Sequence, residues 1–459
     1  MDSMPCLKKD GFQARRRTPQ PPTLRGRGPT LLRLGGGYSE VGRTKMPKRK
    51  NDSRRFDRSL ALPYAVLALF AVTFTGTPSF GPAQETQNYD AERSRAFQLV
   101  EQYKLLDALP ILENLTKQKP TDAAVLARLG VCIVANAATL EDPEARRKER
   151  VRARAVLERA KELGDRSPLT QVLLDQLPPD GNISPFSERK DVEDAMGEGE
   201  AEFAKGDFEK AKAAYGRALI LDPKQYEAAL FTGDGYFKLK QMDQAGEWFE
   251  RAVQIAPDRE TAYRYWGDAL MGKGESGEAR AKYIEAVIAE PYNRTAWRGL
   301  AAWAQAKRVR LTPPVIQSPH QVSVKNGTPN ITIDAKSITQ NDGTLHWLVY
   351  EITCADWKRD LFAKAYPDEK EYRHSLPEEA AALRKVAEGV SRDMKAGKIP
   401  SLDPSLATLV KLNDEGLLEP YVLLTRADAG IARDYATYRK GHRDKLRSYM
   451  DEYVVPKDQ

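Results

Sequence analysis

The sequence predicts a mainly α-helical protein, an α-solenoid in which pairs of helices stack one on the next. A proline recurs every 34 residues, at Pro223, Pro257 and Pro291, and proline ends a helix because it lacks a backbone N–H and clashes with the preceding turn. Small residues keep the same interval in one glycine column and two alanine columns: Gly199, Gly233 and Gly267; Ala211, Ala245 and Ala279; Ala218, Ala252 and Ala286. A fixed period of this length indicates stacked supersecondary units rather than one globular core.

Each repeat is predicted to contain two helices that cross at close range. If Val192, Tyr226 and Glu260 are counted as first places, the glycine stands at place eight and the alanines at places twenty and twenty-seven. A larger side chain at place twenty-four fills the gap beside each crossing, because protein interiors pack with few voids. The residues at that place are Tyr215, Phe249 and Tyr283. A single repeat cannot bury its apolar face, so its stability must come from its neighbours.

These spacings and residue types resemble the tetratricopeptide repeat, a helix–turn–helix unit of 34 residues. The resemblance is strong in residues 192–306, which hold three repeats and a capping helix whose Trp297, Leu300 and Trp303 are expected to seal the array against the C-terminal region. Residues 89–180 contain degenerate copies. In the first copy, Ala96, Ala108, Leu112 and Leu115 occupy the corresponding places, and in the second an insertion of 11 residues displaces Ala153, Leu157 and Ala160.

The resemblance implies a concave groove that binds a protein or peptide and is lined by the first helix of each repeat. The residues at the groove places are Glu193, Met196, Glu200, Phe203, Glu227, Leu230, Asp234, Phe237, Arg264, Asp268, Met271 and Arg298. Methionine and aromatic side chains make an adaptable peptide surface. The acids at place nine would favour a partner with a basic or amide-rich segment. The alternative is that place twelve packs inside the array and the acids only solvate its face.

The N-terminal residues have the order of an export signal. Residues 1–58 carry 16 basic and 5 acidic residues, a net charge of +11, and an uncharged apolar run follows. Within residues 46–83 this run ends in the small residues Gly81-Pro82-Ala83, the pattern of a secretory signal peptide. We expect Met46 to be the true start and residues 1–45 to be a disordered basic head that need not be translated. The protein would then be exported and be periplasmic or secreted; the alternative is a single membrane anchor formed by residues 60–77.

Charge and motifs exclude several classes of function. Residues 84–459 carry 56 basic and 60 acidic residues, a net charge of −4, so we expect no nucleic-acid partner. The histidines His320, His346, His374 and His442 form no metal-binding spacing, and neither a phosphate-binding loop nor a nucleophile elbow occurs. We therefore expect no cofactor, no metal and no catalytic residue. The densest polar group, residues 371–375, is interpreted as surface and helix cap rather than as a catalytic cluster.

Residues 311–459 carry no recognised family motif. Alternating residues on both sides of Asn326-Gly327 predict a β-hairpin, and residues 345–362 fit either a strand or a helix. Ser375 and Glu378 predict a capping box at the start of a helix, and further helices are expected after Asp403 and Gly430. The favoured function is a non-enzymatic scaffold of the cell envelope. The alternative is an enzyme or enzyme subunit with its active site in this region, whose repeats recruit the substrate.

Overall fold

A computed structural model describes the backbone of residues 82–318, 321–325, 328–332 and 341–455, and the side chains of residues 88–318 and 341–455. The expectations for residues 1–45 and for the apolar run 60–77 lie outside these residues. None of the described helices has the length and apolar character that crossing a membrane requires. The chain divides into two compact units at the bond between Leu239 and Lys240. Their described parts are called the N-terminal unit (82–239) and the C-terminal unit (240–455).

The N-terminal unit consists of eight described helices, joined by short turns except for the longer segment 177–189 between the fifth and the sixth. They are α1 (Pro82–Glu101), α2 (Leu105–Gln118), α3 (Ala123–Thr139), α4 (Pro143–Glu162), α5 (Pro168–Gln176), α6 (Lys190–Lys205), α7 (Phe208–Leu221) and α8 (Tyr226–Lys238). Helices α1 to α5 pack each on the next, as do α6 to α8, and α3 also packs on α6. Asp122 and Asp142 begin α3 and α4 by accepting hydrogen bonds from backbone N–H groups of the first turn, which stabilises a helix N-terminus.

The degenerate repeats have the core that their spacing predicts. Ala96, Ala108, Leu112 and Leu115 are fully buried, and so are Ala153, Leu157 and Ala160 of the displaced second helix. A Cβ atom at Gly130, place eight of this repeat, would lie only 2.5 Å from the side chain of Leu157 at the displaced place twenty-four. The insertion therefore lengthens the helices, since α3 has 17 residues and α4 has 20, and it leaves their close crossing intact.

The C-terminal unit begins with the remaining repeat helices and continues into further helices and one hairpin. The repeat helices are α9 (Met242–Ile255), α10 (Glu260–Lys273), α11 (Ser276–Ala289) and α12 (Arg294–Lys307). The further helices are α13 (Trp347–Asp356), α14 (Phe362–Ala365), α15 (Leu376–Lys395), α16 (Pro404–Asp414), α17 (Leu418–Tyr421) and α18 (Tyr435–Tyr449). Shorter 3-10 or π segments adjoin them at Thr344–His346, Trp357–Leu361, Val422–Arg426, Ile431–Asp434 and Met450–Val454. Residues 345–362, which fitted a strand or a helix from sequence, are helical.

Two five-residue strands precede α13. β1 (Gln321–Lys325) and β2 (Thr328–Thr332) pair antiparallel, with Gln321 opposite Thr332 and Lys325 opposite Thr328. The molecule is otherwise mainly α-helical across the described residues.

The helices after α12 share one apolar core with the repeats of the C-terminal unit. Leu300 and Trp303 of α12 are buried in the same cluster as Leu383 of α15 and Leu446 of α18. The stripe predicted on the last helix is buried at Ile431, Tyr435, Leu446 and Tyr449, whereas His442 is exposed and interrupts the helical backbone.

Polar contacts clamp α18 onto α11. Arg443 Nε donates to Glu285 at 2.8 Å, and Arg443 also donates to the hydroxyl of Tyr263 at 3.0 Å. The hydroxyl of Tyr435 donates to the backbone carbonyl of Ile288 at 2.5 Å. These bonds make the last helix part of the repeat packing in this unit.

Candidate functional site

Two of the three carboxylates at place nine are tied to tyrosines of their own repeats. The hydroxyl of Tyr215 donates to Glu200 at 2.7 Å, and the hydroxyl of Tyr283 donates to Asp268 at 2.7 Å. Burial and the neighbouring carboxylate raise the pKa of Tyr283, so this hydroxyl keeps its proton. Each pair joins the first helix of a repeat to the second, beside the close glycine contact. These acids therefore hold the helix pair together.

The structure separates the twelve predicted groove residues into two groups. The buried group is Met196, Glu200, Phe203, Leu230 and Asp234, none more than 8% exposed. The partly exposed group is Glu193, Glu227, Phe237, Arg264, Asp268, Met271 and Arg298. A buried residue offers little surface to a partner. Most of any contact area must therefore come from the partly exposed group. The groove itself stays a prediction.

Within the C-terminal unit the first helices α10 and α12 lie side by side. A Cβ atom at Gly299 would lie 3.1 Å from Cγ of Arg264, so the backbone of α12 packs closely against the side chain of that arginine. Arg264 is held by Glu260 through an Nε–Oε2 contact of 2.9 Å. Asp268 and Met271 continue the same helix and Arg298 stands on its neighbour. We call these four side chains, Arg264, Asp268, Met271 and Arg298, the α10–α12 face.

Glu193 plays a local structural part in the N-terminal unit. Its carboxylate accepts hydrogen bonds from the backbone N–H groups of Phe186 and Ser187, at 2.7 and 3.2 Å. It thereby fixes the segment that leads into α6. The ring of Phe203 packs edge-on against Phe208 in the same repeat, with 5.0 Å between ring centroids.

A second cluster, which sequence reasoning placed at the surface, lies at the start of α15. His374 contacts Asp428 through Nδ1 at 2.9 Å and Glu379 through Nε2 at 3.1 Å. Glu379 is 1% exposed and also accepts from the hydroxyl of Tyr350 at 2.6 Å and from Nε of Arg426 at 2.7 Å. These five residues form what we call the His374 network. Only the local pattern around Ser375 was visible in the sequence, because the other members come from three separate segments.

The two carboxylates set the charge of His374. Burial alone would lower its pKa, but the hydrogen bonds and charges of Glu379 and Asp428 outweigh burial and raise the pKa of His374 to about 9. The same contacts hold the pKa of Glu379 below its usual value against the effect of burial. His374 is thus an imidazolium with both nitrogens occupied, and it lacks the free lone pair that a general base needs. The arrangement suits a structural ion cluster.

The capping box predicted for Ser375 is wrong for the serine side chain. The hydroxyl of Ser375 makes no cap hydrogen bond to α15. The carboxylate of Asp434, 58 residues further along the chain, instead accepts the N–H of Leu376 at 2.8 Å. Asp434 also forms an ion pair with Arg373 at 2.7 Å. The arginine side chain is therefore largely buried in an ion pair and is not a surface residue. A distant carboxylate displaced the local capping group, and no local signal could reveal it.

The remaining candidate ligands and nucleophiles are the two described cysteines and His346. Among the residues whose side chains are described, no group of three His, Cys, Asp or Glu is placed to hold a metal ion. Cys132 is buried, Cys354 is partly buried, and both are free thiols. His346 pairs with Asp393 at 3.1 Å, away from His374.

Comparison with known proteins places the repeats in a family. Residues 196–260 match the family model described as tetratricopeptide repeat, which confirms the resemblance for that part of the repeat region. No curated protein matches the chain.

Several solved structures that resemble the chain are tetratricopeptide domains. The first such domain of human RPAP3 is 24% identical over 25% of this chain and 91% of its own, with a TM-score of 0.24. The domain of Arabidopsis OM64 is 22% identical over 26% of this chain and 97% of its own, with a TM-score of 0.24. The TPR2AB domain of yeast Sti1, in complex with pHSP90, is 14% identical over 48% of this chain and 100% of its own, with a TM-score of 0.25. These likenesses are too distant to carry an argument about a partner.

Proposed function

We propose that this protein is a non-enzymatic scaffold that binds a protein or peptide partner through the first helices of its repeats. The observation that carries the proposal is the tetratricopeptide match at residues 196–260, since repeats of this kind indicate protein–protein interaction. The α10–α12 face supports it, because Met271 and Arg298 are partly exposed on neighbouring first helices of one unit. An apolar side chain beside charged ones is the composition of a peptide-binding surface.

We do not propose that the partner presents a basic or amide-rich segment, as the sequence predicted. That prediction rested on a column of three acids, of which Glu200 and Asp234 are 8% and 1% exposed. Asp268 is partly exposed, but it already accepts the hydroxyl of Tyr283. We propose instead that the partner is held by shape and apolar contact at Met271 and by polar contact at Arg298.

Two substitutions on the α10–α12 face should reduce binding without unfolding the array. We expect Met271→Gln with Arg298→Glu to weaken capture of the natural partner at least about tenfold, because central contacts of an interface are worth about 2 kcal/mol or more. The measurement is affinity capture of the full protein from its own cells, quantified by mass spectrometry. Ala281→Glu is the matched control, since Ala281 is exposed on the second helix α11 of the same unit. Partners that remain at unchanged levels with the double variant, while circular dichroism shows a folded protein, would contradict the assignment.

We also propose that the protein is exported and acts in the cell envelope. The support is the order of basic, apolar and small residues across positions 46–83. Mass spectrometry of the protein isolated from its own cells should find a mature N-terminus close to Gln84 in an extracytoplasmic fraction. An intact segment 60–77 in the membrane fraction would instead support the anchor, and an uncleaved chain in the cytoplasm would exclude export.

A further inference from the structure

Two carboxyl groups next to the His374 network, the buried Glu378 and the half-buried Glu351, pair with no described cation at close range, although the charge of His374 also acts on Glu378. Within the network, the carboxylates of Glu379 and Asp428 face the cations of His374 and Arg426, so the charges balance. Glu378 and Glu351 form no ion pair among the side chains that the structure describes. Burial raises the pKa of both groups.

Glu378 also has an unused hydrogen-bonding atom in the interior. It is 1% exposed, and Oε1 accepts the hydroxyl of Tyr372 at 2.8 Å, while Oε2 has no hydrogen-bond partner. The hydroxyl of Ser375, at the same end of α15, is fully buried and likewise unpartnered. A buried polar atom without a partner costs about 1–3 kcal/mol, and more when it is charged. Two such atoms at one end of one helix point to a ligand that donates hydrogen bonds.

The thiol of Cys354 on α13 feels the charge of three acids. Burial first, and then Glu379, Glu378 and Glu351, raise the pKa of Cys354 to about 12. A single thiol on α13 therefore lies within electrostatic reach of all three acids, and it is neutral. The space between α13 and the start of α15 carries an excess of acidic groups with a neutral thiol beside them.

The side of this cluster that faces solvent is aromatic. Tyr372 is 41% exposed, and its ring packs edge-on against Phe362 with 5.3 Å between centroids. The ammonium of Lys358 already lies 5.5 Å from the centroid of the Tyr372 ring, a distance at which an aromatic face attracts a cation. The ring whose hydroxyl binds Glu378 is thus able to face an ammonium group.

We propose that Glu378, Glu351 and the ring of Tyr372 bind an organic ammonium group. The carboxylates and the Ser375 hydroxyl accept its N–H bonds, and the aromatic ring covers its methylene chain. The arrangement does not fit a metal, because no three His, Cys, Asp or Glu among the described side chains are placed to ligate one. The ammonium comes either from a small free amine or from a lysine side chain of a protein. This site is separate from the α10–α12 face and does not depend on it.

The test is titration of the full protein with cadaverine, which carries the ammonium and methylene chain of lysine, and in parallel with Nα-acetyl-lysine amide. The midpoint of thermal unfolding should rise with the concentration of at least one probe, because a ligand that binds only the folded state stabilises it. Tighter binding of cadaverine indicates a free amine, and tighter binding of the lysine derivative indicates a protein side chain. Glu378→Gln should weaken binding at least about tenfold, since a charged hydrogen bond is lost.

Two controls keep the test decisive. Glu388→Gln changes an exposed carboxylate of the same helix and should respond to both probes as the unaltered protein does. Without a probe, Glu378→Gln should be at least as stable as the unaltered protein, because it removes an uncompensated buried charge. The proposal is overturned if neither probe shifts the midpoint at millimolar concentration, if Glu378→Gln responds equally, or if only a divalent metal gives a shift that depends on Glu378.

Discussion

Replacing Glu379 with alanine is expected to destabilise the C-terminal unit by about 3–5 kcal/mol, the usual cost of removing one member of a buried ion cluster. Glu379 is 1% exposed and receives hydrogen bonds from Tyr350, His374 and Arg426. Its loss leaves the partly buried Arg426 without its counter-charge and leaves His374 with Asp428 alone. It also unlinks α13, α15 and the segment around Arg426, which this one carboxylate joins.

Hydrogen exchange of the full protein measures this effect directly. Amides of α15 should exchange much faster in Glu379→Ala, since exchange from a stable helix reports the free energy of opening. Glu388→Ala on the same helix is the control, and an exposed substitution of this kind is expected to change stability by less than about 0.5 kcal/mol. Equal exchange in the two variants would show that the His374 network contributes no stability.

The second large effect is expected at Gly199 in α6. A Cβ atom there would overlap the ring of Tyr215, and that ring is held in place by its hydrogen bond to Glu200. Gly199→Ala should therefore destabilise the N-terminal unit by about 1–3 kcal/mol, the usual cost of overpacking a core.

Gly197 is a matched control two residues away in the same helix. Nothing lies within 4 Å of a Cβ atom added at Gly197, so Gly197→Ala should stabilise the helix by about 0.5–1 kcal/mol. The measurement is the denaturant midpoint of the full protein together with hydrogen exchange of α6. Both substitutions bring the same gain in helix propensity. If they shift stability in opposite directions, the difference is due to packing at Gly199. Stabilisation by both would mean that place eight tolerates a side chain and that the close crossing is not as described.

The repeats could be predicted from sequence because each determinant lies within one period of its partner. A glycine at place eight leaves room for the side chain at place twenty-four of the same repeat: a Cβ atom added at Gly267 would lie 2.6 Å from the ring of Tyr283, and one added at Gly130 would overlap Leu157. This pairing is kept even where an insertion lengthens α3 and α4. Short-range periodicity was therefore enough to identify both the helices and their contact.

The sequence of the predicted groove contains a pattern that indicates hydrogen bonds inside a repeat. An acid at place nine coincides with a tyrosine at place twenty-four in the first and third strong repeats, as in Glu200 with Tyr215 and Asp268 with Tyr283. The middle repeat has Phe249 at that place and lacks the hydroxyl. That co-occurrence was consistent with bonding inside the repeat rather than with an acidic binding column.

The His374 network could not have been predicted, because its contacts are long-range. His374 reaches Asp428 across 54 residues, and Glu379 reaches Arg426 across 47 residues. Charged and polar side chains near a helix start are usually exposed, so local composition favoured a surface for Arg373 and His374. Only the packing of α13, α15 and the loop after Arg426 brings these groups together.

Site-specific photocross-linking in the protein's own cells tests the proposed scaffold function most directly. A photoreactive amino acid at Met271 on α10 is compared with one at Ala281 on α11, an exposed position of the second helix in the same repeat. The first-helix assignment predicts a specific partner protein linked through position 271 and absent from position 281. Cross-links of equal yield at both positions, or a partner joined only through position 281, would contradict it.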